Sequence, residues 1–252
     1  VVLSQIVQFS NHSQLSRKKK EKKMTTPRKT AIVVGALFLI SYFGVFAGSA
    51  FYGPTLNAPD YPSGIYPNRG QVTIGLLLEL LNDAAVVGIA VVLYPLLKKQ
   101  SESIALGYVS FRVIEAVMLV VSKISPLSLI ALSEEYVSAG TLDASYFQAF
   151  AASVQAERFW AGQMVAIFFI VGGLLFYYLL YGSRLLPRFI SVWGFIAVAS
   201  LIAANVFEVP DLTQGFHPAQ LLYFPIVLNE LFIGIWLIVK GFKPSAIASE
   251  PA

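Results

Sequence analysis

Leu76-Leu77-Leu78-Glu79-Leu80-Leu81-Asn82-Asp83-Ala84-Ala85-Val86-Val87 decides the fold. It lies inside a longer apolar run, Val72–Leu97. That run exceeds the roughly 20 residues needed to cross a bilayer. Three polar groups nevertheless sit in its middle. On insertion scales each central Asp, Lys or Arg costs roughly 2.5–3.5 kcal/mol. Such groups persist where they face one another, water or a ligand. The stretch therefore reads both as a membrane span and as one wall of a polar site.

The rest of the chain repeats the pattern. Of 252 residues, 56% are hydrophobic and only 13% charged, against about 25% charge in soluble domains. Six runs have the length of a span: Ala31–Phe51, Val72–Leu97, Ile104–Val121, Phe159–Tyr181, Phe189–Phe207 and Gln220–Val239. The expected fold is all-α, a polytopic bundle of six transmembrane helices. The third run stays apolar to Leu132, too far for one perpendicular helix. Lys123 and Ser125-Pro126 predict a break there, because a residue before proline resists the helical conformation. An amphipathic outer-surface helix is expected between spans four and five or before span four; the residues favour the second place. Asp143 would cap it, with Tyr146, Phe147, Phe150 and Val154 on one side, lying on the surface or extending the span. Gly44 and Gly48 form a small-residue pair that suits close helix packing.

Arginine and lysine set the direction. Arg28-Lys29, Lys98-Lys99, Arg184 with Arg188, and Lys240 with Lys243 all fall on one side. The other side holds Asp60, Glu134, Glu135, Asp143, Glu157, Glu208 and Asp211, with few basic residues. By the positive-inside rule both termini are cytoplasmic. Tyr94, Tyr108, Trp193 and Trp236 read as anchors at the inner boundary, and Tyr52, Trp160 and Tyr223 at the outer. A cleaved signal ending near Gly48-Ser49-Ala50 competes with the first span, but its core is longer than such segments use. Residues 1–23 are polar and irregular. Lys20-Glu21 ahead of Met24 fits a ribosome-binding sequence, so 1–23 read as a translated leader or a disordered basic tail. Residues 24–243 then form the membrane domain and 244–252 a disordered tail.

The net charge of +4 does not imply nucleic acid. The basic residues mark span ends, with no nucleic-acid motif beside them. There are no cysteines, and both histidines, His12 and His217, lie outside the apolar runs. No metal or cofactor is expected.

Seven residues are the candidate site. Glu79, Asn82 and Asp83 share one face of span two through i, i+3 and i+4 spacing. Arg112 and Glu115 share a face of span three. Asn229 and Glu230 interrupt span six and, being adjacent, diverge by about 100°. Asp83, Arg112, Glu115 and Glu230 fall within about two turns of the bilayer centre, with Glu79 further out. Four acids face one arginine unless Lys123 bends inward. At least one of Asp83, Glu115 and Glu230 is therefore expected to hold its proton near neutral pH.

Several stretches carry a family resemblance. They include Ala90-Val91-Val92-Leu93-Tyr94-Pro95-Leu96-Leu97-Lys98, Leu106-Gly107-Tyr108-Val109-Ser110-Phe111-Arg112-Val113-Ile114-Glu115-Ala116, Pro187-Arg188-Phe189-Ile190-Ser191-Val192-Trp193-Gly194 and Leu228-Asn229-Glu230. Together they resemble an uncharacterised bacterial membrane family, domain-of-unknown-function family 4386, over about Arg28 to Ser249. The resemblance implies a multi-pass membrane protein. It brings no activity, substrate or catalytic residue.

The expected function is a binding or sensory module in the bacterial cytoplasmic membrane, with no enzymatic activity. Its partners would be the lipid bilayer and a small amphiphilic ligand or a proton. The alternatives are a proton- or cation-coupled carrier and an intramembrane hydrolase with paired acids. A purely structural role for the polar cluster stands beside all three.

Overall fold

The computed structural model describes residues 26–56, 58, 61–139, 144–208 and 218–248. Among them all regular structure is helical. The main helices are α1 Thr26–Leu56, α2 Arg69–Leu97, α3 Glu102–Ser122, α4 Ile124–Ala139, α5 Ala144–Ser183, α6 Arg188–Glu208 and α7 Phe224–Val239. Short turns of helix occupy Tyr61–Gly64 and Pro244–Ala248, and a 3₁₀ segment, Pro218–Tyr223, leads into α7. Six stretches are long and apolar enough to cross a membrane, with α3 and α4 counting as one and the 3₁₀ residues joining α7.

Local chemistry sets the boundaries. Ser101 caps α3 through its side chain, with Glu102 in the first turn, where a carboxylate suits the helix dipole. The expected break in span three falls at Lys123, which closes α3 before α4 restarts at Ile124. Pro126 then lies in the first turn of α4, where its missing N–H is harmless. Arg184, at φ 54°, adopts the left-handed conformation that ends α5. The amphipathic segment before span four takes the extending form. It is continuous with the span, making α5 a helix of 40 residues. Its expected cap, Asp143, lies outside the described residues, as does the segment 1–23.

The six spans close into a ring. Each packs on its neighbour in the order α1, α2, α3, α5, α6, α7, and α7 returns to α1. Close approach at two seams depends on glycine. A Cβ on Gly48 would stand 2.6 Å from the carbonyl oxygen of Gly75, and one on Gly75 would stand 2.7 Å from that of Gly48. Gly35 meets Gly234 in the same way at the α1–α7 seam. Arg28 fastens that seam by donating to the carbonyl oxygens of Leu237 and Ile238 in the last turn of α7.

One end of the ring is filled. Phe38, Leu93, Leu97, Tyr108, Phe176 and Leu180 form a buried apolar layer on the side that carries the basic residues. Tyr108 corrects the expectation of an interfacial anchor: it is fully buried and stacks on Phe176 at 5.2 Å. The disordered tail expected from residue 244 is also corrected in part. Residues 244–248 are helical, and Ala246 and Ile247 pack against this core. At the other end, α4 and the extension of α5 clamp Leu56, Ile65 and Val72 beneath Leu129 and Ala151. Outward-facing Phe43, Leu77, Leu106 and Ile196 are exposed and supply the apolar belt a bilayer requires.

Candidate functional site

The polar residues form two linked groups at mid-height in the ring. The deeper centres on Arg112 of α3. Its Nη1 donates to Glu115 Oε2 at 2.9 Å and Oε1 at 3.1 Å, one helical turn away. Its Nη2 donates to Glu230 Oε1 of α7 at 3.3 Å. Tyr42 of α1 donates to the other oxygen of Glu230 at 3.0 Å. The guanidinium also lies 4.7 Å from the centre of the Phe169 ring of α5, an arrangement that favours arginine. Three helices thus meet at one cation, and α1 joins them through Glu230.

The second group sits nearer the acidic end. Lys123, at the α3–α4 break, turns its side chain inward. Its Nζ lies 2.8 Å from Asp83 Oδ2 and 3.7 Å from Glu79 Oε2. Tyr52 donates to Glu79. Ser41 donates to Asn82 Oδ1 at 2.6 Å, and Asn82 leans on Asp83 at 3.3 Å. Ser41 and Asn82 also line the same cavity as Arg112, which joins the two groups.

Six of the seven sequence candidates are therefore brought together. Asn229 is not. Its amide donates to the Ile190 carbonyl of α6 at 3.1 Å and accepts from Tyr177 of α5 at 2.8 Å. It fastens three helices and faces away from the cluster, as its 100° offset from Glu230 requires. The sequence reading missed Ser41, Tyr42 and Tyr52 and left Lys123 conditional. A hydroxyl in a span costs too little to announce a role, and Lys123 fell at the segment edge where snorkelling is the ordinary fate.

A cavity of about 700 Å³ occupies the ring axis above the apolar layer. Arg112, Glu115 and Glu230 line its floor, and Val45, Ile89, Phe169, Leu201 and Ile226 its walls. Gln155, Arg158, Gln163 and Gln220 line it at the opposite end, beside the carbonyl of Leu56 that Gln155 holds. Greasy walls with a few convergent polar groups are the usual make-up of a small-molecule site, and the volume lies in the usual range.

The architecture defines a multi-pass α-helical membrane protein with a charged centre. The chain matches the family described as Domain of unknown function (DUF4386) over residues 33–241 and belongs to that family. Neither the curated proteins nor the solved structures hold a match to it.

Proposed function

We propose that this protein is a non-enzymatic binding module of the bacterial cytoplasmic membrane, with its basic end and both termini in the cytoplasm. The central cavity carries the reading: apolar walls lead to a floor where Arg112, Glu115 and Glu230 meet. A small amphiphile seated there would touch α1, α2, α3, α5, α6 and α7 together. Occupancy would then change the packing of the whole ring. The paired-acid hydrolase loses support, since Arg112 bridges Glu115 and Glu230, whereas acid dyads share a proton between abutting carboxyls. The carrier remains the second reading. A cavity walled off at one end by Phe38, Leu93 and Phe176 is the form a carrier takes in one of its two states.

The chain has no cysteine, so single cysteines report without background. Ser41→Cys places a thiol on the cavity wall. In oriented vesicles it should react with a small impermeant methanethiosulfonate added on the acidic side only. Filling the cavity with Ala166→Phe should block that reaction. Reaction from both sides would favour the carrier, and an inert thiol in the folded protein would end the binding reading. Cysteines at Ser183 and Ser138 test the orientation in the same vesicles, the first expected to label from the cytoplasm and the second from outside.

A further inference from the structure

We infer that the cavity takes an organic cation, a protonated amine with an apolar body, whose ammonium seats on Glu115 and Glu230. The inference rests on the binding reading above and names the ligand class.

Charge is the first ground. The floor brings two carboxylates to one guanidinium. The neighbouring group adds Glu79 and Asp83 against Lys123, with Arg158 over the ring of Tyr52, which donates to Glu79. By direct ion pairs each group holds one more acid than base. A bound cation would neutralise the floor in place of the proton that the surplus acid otherwise holds, whereas a carboxylate head would add a third acid around Arg112.

Hydrogen-bond capacity is the second. Both oxygens of Glu115 accept from the same atom, Arg112 Nη1. Each carboxylate oxygen has two lone pairs, so Glu115 has acceptor capacity to spare on a buried group that lines the cavity. Glu230 accepts one bond on each oxygen, from Arg112 and Tyr42. Available acceptors call for a ligand with N–H donors, which a quaternary ammonium lacks.

Access is the third. Glu134, Glu135 and Glu157 are exposed at the end of the ring where Gln155 and Arg158 line the cavity. Arg158 there is drawn aside over the Tyr52 ring, 5.5 Å from its centre. A surface field of this sign concentrates cations near the entrance.

The test uses the full chain in nanodiscs of zwitterionic lipid, with calorimetry on three probes that share a phenylalkyl body and differ at the head: 4-phenylbutylamine, its trimethylammonium analogue and 4-phenylbutyrate. The amine should bind saturably and at least tenfold more tightly than either analogue. Glu115→Gln should weaken it about tenfold, and Glu102→Gln, at the far end of α3, should not. Ala166→Phe keeps every charge and should also abolish binding, so the result stands even where a charge variant unfolds. Saturable binding of the carboxylate in place of the amine, or equal binding of all three, overturns the cation inference and leaves the binding module standing. If none of the three binds saturably, the inference falls. The module reading is then judged by the Ser41→Cys labelling alone.

Discussion

Lys123 Nζ lies 2.8 Å from Asp83 Oδ2, although Lys123 occupies the break between α3 and α4 and Asp83 the middle of α2. The break gives the lysine its reach. Its backbone stays near the end of the span, while its four-carbon stem brings the charge down to the acid. Both side chains are over nine-tenths buried. Removing one partner therefore leaves a charge without its counter-ion in the bundle. Lys123→Met should destabilise the protein by about 3–5 kcal/mol. The double variant Lys123→Met with Asp83→Asn should recover most of that loss. Unfolding by detergent titration measures both, and a single variant as stable as the native chain would deny the pair its structural role.

The Gly48–Gly75 seam makes a steric prediction. Gly48→Val places methyl groups against a main-chain carbonyl that cannot rotate away. Overpacking of this kind costs about 1–3 kcal/mol. Gly70→Ala is the contrast: a Cβ there meets nothing within 4 Å, and alanine is the better helix former by about 1 kcal/mol. Thermal melting should separate the two, with Gly70→Ala at or above the native midpoint.

Asn229 predicts a dissociation between stability and access. Asn229→Leu leaves the Tyr177 hydroxyl and the Ile190 carbonyl without their buried partner. The expected loss is about 1–3 kcal/mol. Labelling of Ser41→Cys in the same background should keep its native rate, because Asn229 faces away from the cavity. A changed rate at unchanged fold would return Asn229 to the site.

Tyr66 predicts a pH effect outside the spans. Glu134 accepts the phenol hydrogen bond and repels the phenolate, raising the titration of Tyr66 above its ordinary value, with Arg69 opposing. A raised value in the folded chain means that folding tightens the proton. The contribution is complete below about pH 10 and is lost as pH rises through the folded value. Ultraviolet titration of the native chain, minus that of Tyr66→Phe, should show phenolate forming late. Glu134→Gln should move it back down.

Composition and run length were enough to read the class and the six spans, because the cost of polar backbone in lipid leaves few alternatives. The i, i+3 spacing made the Arg112–Glu115 pair legible as well. The partner of that pair on α7 was a different matter. Depth placed Glu230 near the bilayer centre, yet adjacent Asn229 stayed a candidate, because which of the two faces inward depends on the rotation of α7 against α1 and α6. Packing at Gly35–Gly234 determines that rotation, which no local pattern reports. Tyr108 failed for a related reason. A tyrosine near a span end suits the interface and the core alike, and only the stack on Phe176 separates them.

Arg112 also imposes an order on biogenesis. Its contact with Glu230 joins residues 118 positions apart. At about 5–20 residues per second of synthesis, α3 leaves the ribosome several seconds or more before α7 exists. Through that interval the guanidinium has Glu115 of its own helix but lacks its far counter-ion. The insertion machinery must therefore shelter the third span, or keep it beside the second, until the last helix arrives. Truncating the chain before residue 220 should leave an early product that quality-control proteases recognise by its unfinished centre.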